Sequence, residues 1–225
     1  SDTALITTYE RGGSEPVNGQ TYYVSYEYAK RDYTTRLFRK LSTIEANFGS
    51  IGVESPTSLA AYLMMLNGAN IVGVKQVIKE EGSTDASAQS YVDSIEELEG
   101  LLPGRIRPSV LVPLTPASLG LAEVLSRHCD IQSDIRYRSE RTAILGFGAG
   151  TTPEEAKKLS VQIGDTRIRM VYPDMMSVTV EDFEGNATNS LVDGRYLAAM
   201  MAARQLSPNR DVATPWTGTK FVGTN

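Results

Sequence analysis

The order of patterns along this chain predicts an α/β fold: a mixed, mostly parallel sheet flanked by helices, with a β-rich N-terminal part. Three observations carry that expectation. From Pro56 onward, short β-branched runs alternate with capped amphipathic segments, as βα units around a sheet do. Before that point the chain is rich in Tyr, Thr and Val and is punctuated by Gly12-Gly13 and Asn18-Gly19. With 225 residues, 41% hydrophobic and 22% charged, the chain can bury a core in one large domain or two small ones. The shift in pattern divides it into a β-rich region, 1–55, and an α/β domain, 56–225.

Taken in order, residues 4–8 read as a short strand. Residues 20–29 and 33–38, split by the polar Lys30-Arg31-Asp32, read as a hairpin. Ser42-Thr43-Ile44-Glu45 opens a short helix that stops at Gly49. Ser55 caps the next helix and Pro56 takes its first position, with Leu59, Tyr62, Leu63 and Leu66 on one face. Asn67-Gly68 ends it in a left-handed turn. A strand at 71–78 follows, then a helix at 86–99 with Tyr91, Val92, Ile95 and Leu98 at helical spacing.

Residues 109–114 form a buried strand, and Thr115-Pro116 starts a helix with Leu119, Ala122 and Leu125 inward. Residues 141–147 are another strand. Thr152-Pro153-Glu154-Glu155 then opens a helix through a capping box between Thr152 and Glu155. Strands at 167–172 and 178–181 precede an Ala- and Met-rich helix, 192–206, stopped by Ser207-Pro208.

Composition removes several functions. Lys plus Arg number 22 and Asp plus Glu 27, a net charge of −5 that opposes a dedicated nucleic-acid binder. One cysteine, Cys129, excludes an intrachain disulfide and a Cys-rich metal cluster. One histidine, His128, leaves little for a zinc site or a His-dependent triad. There is no P-loop and no G-x-S-x-G elbow. No apolar run approaches the roughly 20 residues of a membrane span, and the first residues lack a signal peptide's basic and apolar regions. The start at Ser1 and the end at Asn225 read as those of a trimmed fragment.

Four clusters are candidates for chemistry. Gly146, Gly148 and Gly150 lie between a strand and a helix, where backbone N–H groups cradle phosphates, and Asp174 after the next strand is placed to meet a ribose. The spacing G-x-G-x-G differs from the dinucleotide fingerprint and is a weak motif alone, so a tight strand-to-helix turn that needs small residues is the preferred reading. His128 falls at the predicted end of a helix beside Cys129, read as a small, partly buried thiol. Glu96, Glu97 and Glu99 diverge on a helix and read as a solvated face. Arg136, Arg138 and Arg141 form a basic cluster with Glu140 among them, suited to ion pairing within the chain or with a neighbour. No catalytic, cofactor or metal residue is assigned; these six Glu and Arg side chains are the candidate interface.

Several segments in fixed order resemble the tail sheath proteins of contractile-tailed bacteriophages and related injection machines. They are Leu41 to Gly49 (LSTIEANFG), residues 59–77 with Asn67-Gly68-Ala69, and Ser139 to Leu145 (SERTAIL). Met170-Val171-Tyr172-Pro173, Asp193 to Ala202 (DGRYLAAMMA) and Asn209 to Pro215 (NRDVATP) complete the series. Ala69, Gly146 and Asp211 depart from the residues common there. The resemblance implies a subtilisin-like topology without protease activity, and a structural subunit that needs no cofactor. Its partners are further sheath subunits, commonly six per ring in helical stacks, around a tail tube. Contraction would drive that tube through the host envelope. The family's C-terminal domain, which contacts the tube, is not found after Asn225, so this fragment is expected to be monomeric. Its place is the virion, after assembly in the host cytoplasm, with no nucleic acid bound and no membrane insertion. An enzyme binding S-adenosylmethionine or a dinucleotide at Gly146–Gly150 is the alternative, and a generic α/β binding module a second.

Overall fold

β4 (Thr142–Gly146) is the strand around which the rest is arranged. It lies between β3 (Val110–Leu111) and β5 (Ile168–Val171), parallel to both, with Val110 opposite Thr142 and Gly146 opposite Val171. A computed structural model describes residues 34–78, 86–99, 102–181, 187–207 and 220–224 of the chain. The strands expected at 4–8 and 20–29 lie outside those residues.

Successive β4 side chains point to opposite faces, and each face buries a different helix layer. Ala143 and Leu145 pack with Leu121, Ala122, Leu125 and Cys129 of α4 (Leu119–Ser133) and with Ile95 of α3 (Ala88–Glu96). Ile144 faces the other way, onto Ala198 and Ala202 of α6 (Gly194–Leu206). Because α6 carries alanines there, it lies close to the sheet and is itself covered beyond by Leu59 and Leu63 of α2 (Pro56–Leu66). A helix apolar on most sides is a buried helix, and Ala198, Ala199 and Met200 are all 0% exposed. The helices on both faces of a parallel sheet make this an α/β fold.

Two antiparallel pairs complete the described chain. β1 (Arg36–Phe38) pairs with β2 (Val72–Val74) beside α1 (Leu41–Phe48), and Phe38, Ile44, Ala61 and Val72 form their small core. The strand expected at 71–78 is therefore only three residues long and does not join the parallel sheet. β6 (Met175–Glu181) and β7 (Ala187–Asp193) form a hairpin whose Val178, Val180 and Val192 pack on α2 and α6. The C-terminal residues extend this hairpin: the Thr179 N–H donates to the Gly223 carbonyl at 2.9 Å, and Val178 bridges Thr224.

The caps follow local chemistry, with two corrections. The Thr152 and Glu155 capping box opens α5 (Pro153–Ile163) as expected, and Gly164 closes it in the left-handed conformation. The α4 cap is Ser118, whose hydroxyl accepts the Leu121 N–H, so the helix begins later than Thr115-Pro116 implied and Leu119 is 41% exposed. Ser55 precedes α2 without a side-chain cap; Ser58 instead donates to the Gly49 carbonyl at 2.6 Å. Gly68, not Asn67, takes the positive φ of +103°. Asn67 is buried and acts as a strand mimic: its amide donates to Leu63 and Val222 carbonyls, and its oxygen accepts the Val222 N–H at 3.0 Å.

Truncating Leu63 tests this packing, because its side chain is 0% exposed between α2, α6 and the hairpin. Leu63→Ala should cost about 2–5 kcal/mol in urea unfolding. A loss under about 0.5 kcal/mol, ordinary for surface sites, would contradict the arrangement.

Candidate functional site

In open α/β sheets, ligands bind beyond the carboxyl ends of the strands. In this chain that position holds the start of α6. The carbon that an alanine at Gly146 would carry falls 2.1 Å from the Gly194 carbonyl oxygen, and one at Gly194 falls 2.6 Å from the Pro173 carbonyl oxygen. Only two glycines allow backbones to meet this closely. The Gly194 N–H donates to the Phe147 carbonyl at 3.0 Å and the Asp174 carbonyl at 2.8 Å, and the Ala117 N–H donates to Gly146 at 2.9 Å. Asp193 caps α6 by accepting the Arg195 N–H, and it pairs with the Arg195 guanidinium, which also donates to the Leu114 carbonyl at 3.0 Å. The segments following β3, β4 and β5 are thus all fastened to one helix start.

The glycine loop is committed in the same way. An added carbon at Gly148 would press on Pro116 at 3.1 Å, and Gly150 adopts φ +87°. The Gly150 N–H donates to an Asp174 carboxylate oxygen at 2.8 Å, and the Thr152 N–H to Glu155 at 2.9 Å. Asp174, placed by sequence near a ribose, closes the loop on itself. Glu154 and Glu155 in the first turn of α5 add negative charge where a phosphate would sit. Hydrogen bonds from Thr152 hold the Glu155 carboxyl below its ordinary range. These features make a strand-to-helix turn of small residues, and they oppose anion binding.

At the opposite end of β4, Arg141 is fully buried. It therefore presents nothing to a partner, which corrects its place in the expected interface. Its guanidinium donates to the Leu98 carbonyl at 2.7 Å and to the Ser139 hydroxyl at 3.3 Å, and it lies 2.6 Å from His128 Nε2. Its backbone N–H donates to Ser133 at 3.0 Å. A guanidinium only donates, so Nε2 of His128 accepts and the imidazole proton is on Nδ1. His128 sits inside α4, which continues to Ser133, and not at a helix end as the sequence implied. Burial first, and the Arg141 charge second, lower its pKa to about 4. Cys129 is fully buried, and burial pushes its thiol up to about 11, so it is not an activated nucleophile.

The other charged candidates are at the surface. Arg136 pairs with Asp134 at 2.9 Å and lies 6.0 Å from the centre of the Tyr137 ring. Arg138 is exposed with φ +49°, and its carbonyl accepts from Arg107 at 2.6 Å. Glu96 ends α3, Glu97 follows as its cap and pairs with Lys75, and Glu99 lies in the next turn. Of the three, only Glu96 is helical, and all three are exposed. Among the described residues, no three His, Cys, Asp or Glu side chains converge on a metal position. Sequence reasoning missed Gly194 and Arg195; the signal for them was the Asp193-Gly194 pair at a helix start, a cap followed by the smallest residue. No protein-family model matches the sequence, and no curated protein does either.

The two ends of β4 give separate predictions. Gly146→Ala should cost about 3 kcal/mol or more, because the new carbon meets backbone that cannot move aside, whereas Gly150→Ala meets no atom within 4 Å and should cost about 1 kcal/mol for its positive φ. Equal losses in urea unfolding would contradict the contact. His128 binds a proton more readily unfolded than folded, so its contribution is complete above pH 6.5 and is lost as pH falls toward 4. Stability should drop by on the order of 2 kcal/mol across that window, allowing for solvent screening. In His128→Asn this part of the drop should vanish; an unchanged pH profile would contradict the assignment.

Proposed function

We propose that this chain is a structural subunit of a contractile tail sheath, one that polymerises as stacked helical rings around a tail tube and shortens to drive the tube through a host envelope. The observation that carries the reading is the ordered series of sheath-like segments between Leu41 and Pro215. Those within the described residues correspond to α1, to α2 with β2, to the entry and body of β4, to the end of β5 and to α6. These are the pieces that make the framework: α2 and α6 share one core, and α6 and β4 share the next.

Two features of the structure support a mechanical role over a chemical one. The carboxyl end of the sheet, where a cofactor would bind, is occupied by the chain's own α6 start. The one histidine and the one cysteine are buried, with the histidine bound to Arg141 and the thiol far from ionising at neutral pH. Contraction requires two packings of one subunit surface that differ in free energy, and it requires no bond chemistry. Repeated heterologous contacts supply an open helical assembly. The subunit belongs to the virion, with further copies and a tail tube as its partners.

Electron microscopy of the full-length protein tests the reading. Tubes of stacked rings, with an extended and a shorter, wider form, are expected. Dispersed particles at all concentrations would contradict it, as would calorimetric binding of S-adenosylmethionine or a dinucleotide that Gly148→Val abolishes.

A further inference from the structure

The two ends of the parallel sheet carry opposite charge beside exposed apolar side chains. At the end where β4 enters, the turn after α4 leaves Ile135 79% and Tyr137 48% exposed. That turn is fixed: the Tyr137 and Arg138 N–H groups donate to the Asp134 carbonyl at 2.9 and 3.0 Å, and Arg107 holds the Arg138 carbonyl. A backbone already held in its turn loses little freedom on docking. Arg107, Arg136 and Arg138 lie around them; Asp134 offsets one of these charges and Arg167 bridges both Glu140 and Asp130, so a small positive excess remains at this end.

At the carboxyl end, Tyr172 is 44% and Met175 36% exposed. Glu154, Glu155 and Asp174 lie on the segments around them, the Arg195 charge is offset by Asp193, and Lys157 and Lys158 come a turn further along α5. Tyrosine and arginine around an apolar centre are the side chains that dominate interface energies.

We propose that copies of this chain associate head to tail through these two ends, the 135–138 turn of one copy seated against residues 172–175 of the next. The inference rests on the reading of the chain as a polymerising subunit, and it names the contact. Two different patches meeting in this way leave a free patch at each end, so the contact propagates as an open row.

Cysteine cross-linking tests it, because the chain's own Cys129 is buried. Under mild oxidation, an Ile135→Cys, Tyr172→Cys double variant should give a ladder of dimers, trimers and higher species. Each single variant should stop at dimers at most, and the ladder should shrink at about 1 M salt, where charges a few ångströms apart are screened. Tyr137→Cys with Met175→Cys is a second pair for the same contact. Ile135→Cys with Val161→Cys, a residue 73% exposed in the last turn of α5, is the control. No ladder from either test pair, or an equal ladder from the control, would overturn the contact. Tubes without the ladder would leave the sheath reading standing and remove this contact, and a ladder without tubes would do the reverse.

Discussion

The close meeting of Gly146 with Gly194 is the constraint on which the architecture depends. It sets how near α6 can come to the end of β4, and hence how deeply the alanine face of α6 sits on Ile144 and Val171. That depth leaves room for α2 and the β6–β7 hairpin on the far side of α6, where Leu59, Leu63, Val178 and Tyr196 share one core. Larger residues at either glycine would lift the helix start, break the Gly194 hydrogen bonds to Phe147 and Asp174, and loosen three segments together.

The entry of β4 is held by a different kind of force. Arg141, the residue just before the strand, ties Leu98 in the turn after α3, His128 in the middle of α4 and Ser139 together through directional hydrogen bonds. A charge in such a place is retained only when its donors are matched, and the neutral His128 is part of that match. One end of the central strand is therefore fixed by shape and the other by polar geometry. Between them the strand is held at both ends by contacts with other elements.

The sequence made much of the framework legible. Capping chemistry located α5, since Thr152 and Glu155 reciprocate locally, and Pro56 located α2. The apolar run of β4 was clear because its two faces both bury. β7 was not legible: Ala187–Asp193 is polar along most of its length, so the turn signal Gly185-Asn186 had no recognisable second strand after it. The glycine loop was legible as a turn, but not as a turn capped by another part of the chain, because Gly194 is 48 positions from Gly146 in sequence and only folding brings them together. Arg141 read as one of three surface arginines, since its burial depends on α3 and α4 and leaves no trace in its neighbours along the chain.

Native-state hydrogen exchange at the Gly194 amide addresses the closed sheet end most directly. This amide donates to two carbonyls at the junction of β4, β5 and α6. It should exchange only through global unfolding, with an opening free energy equal to that of the core amides of β4. Exchange through a local opening far below the global value would show that the helix start lifts away. The carboxyl end of the sheet would then be open to a ligand, and the proposed mechanical role would lose one of the two structural features that support it.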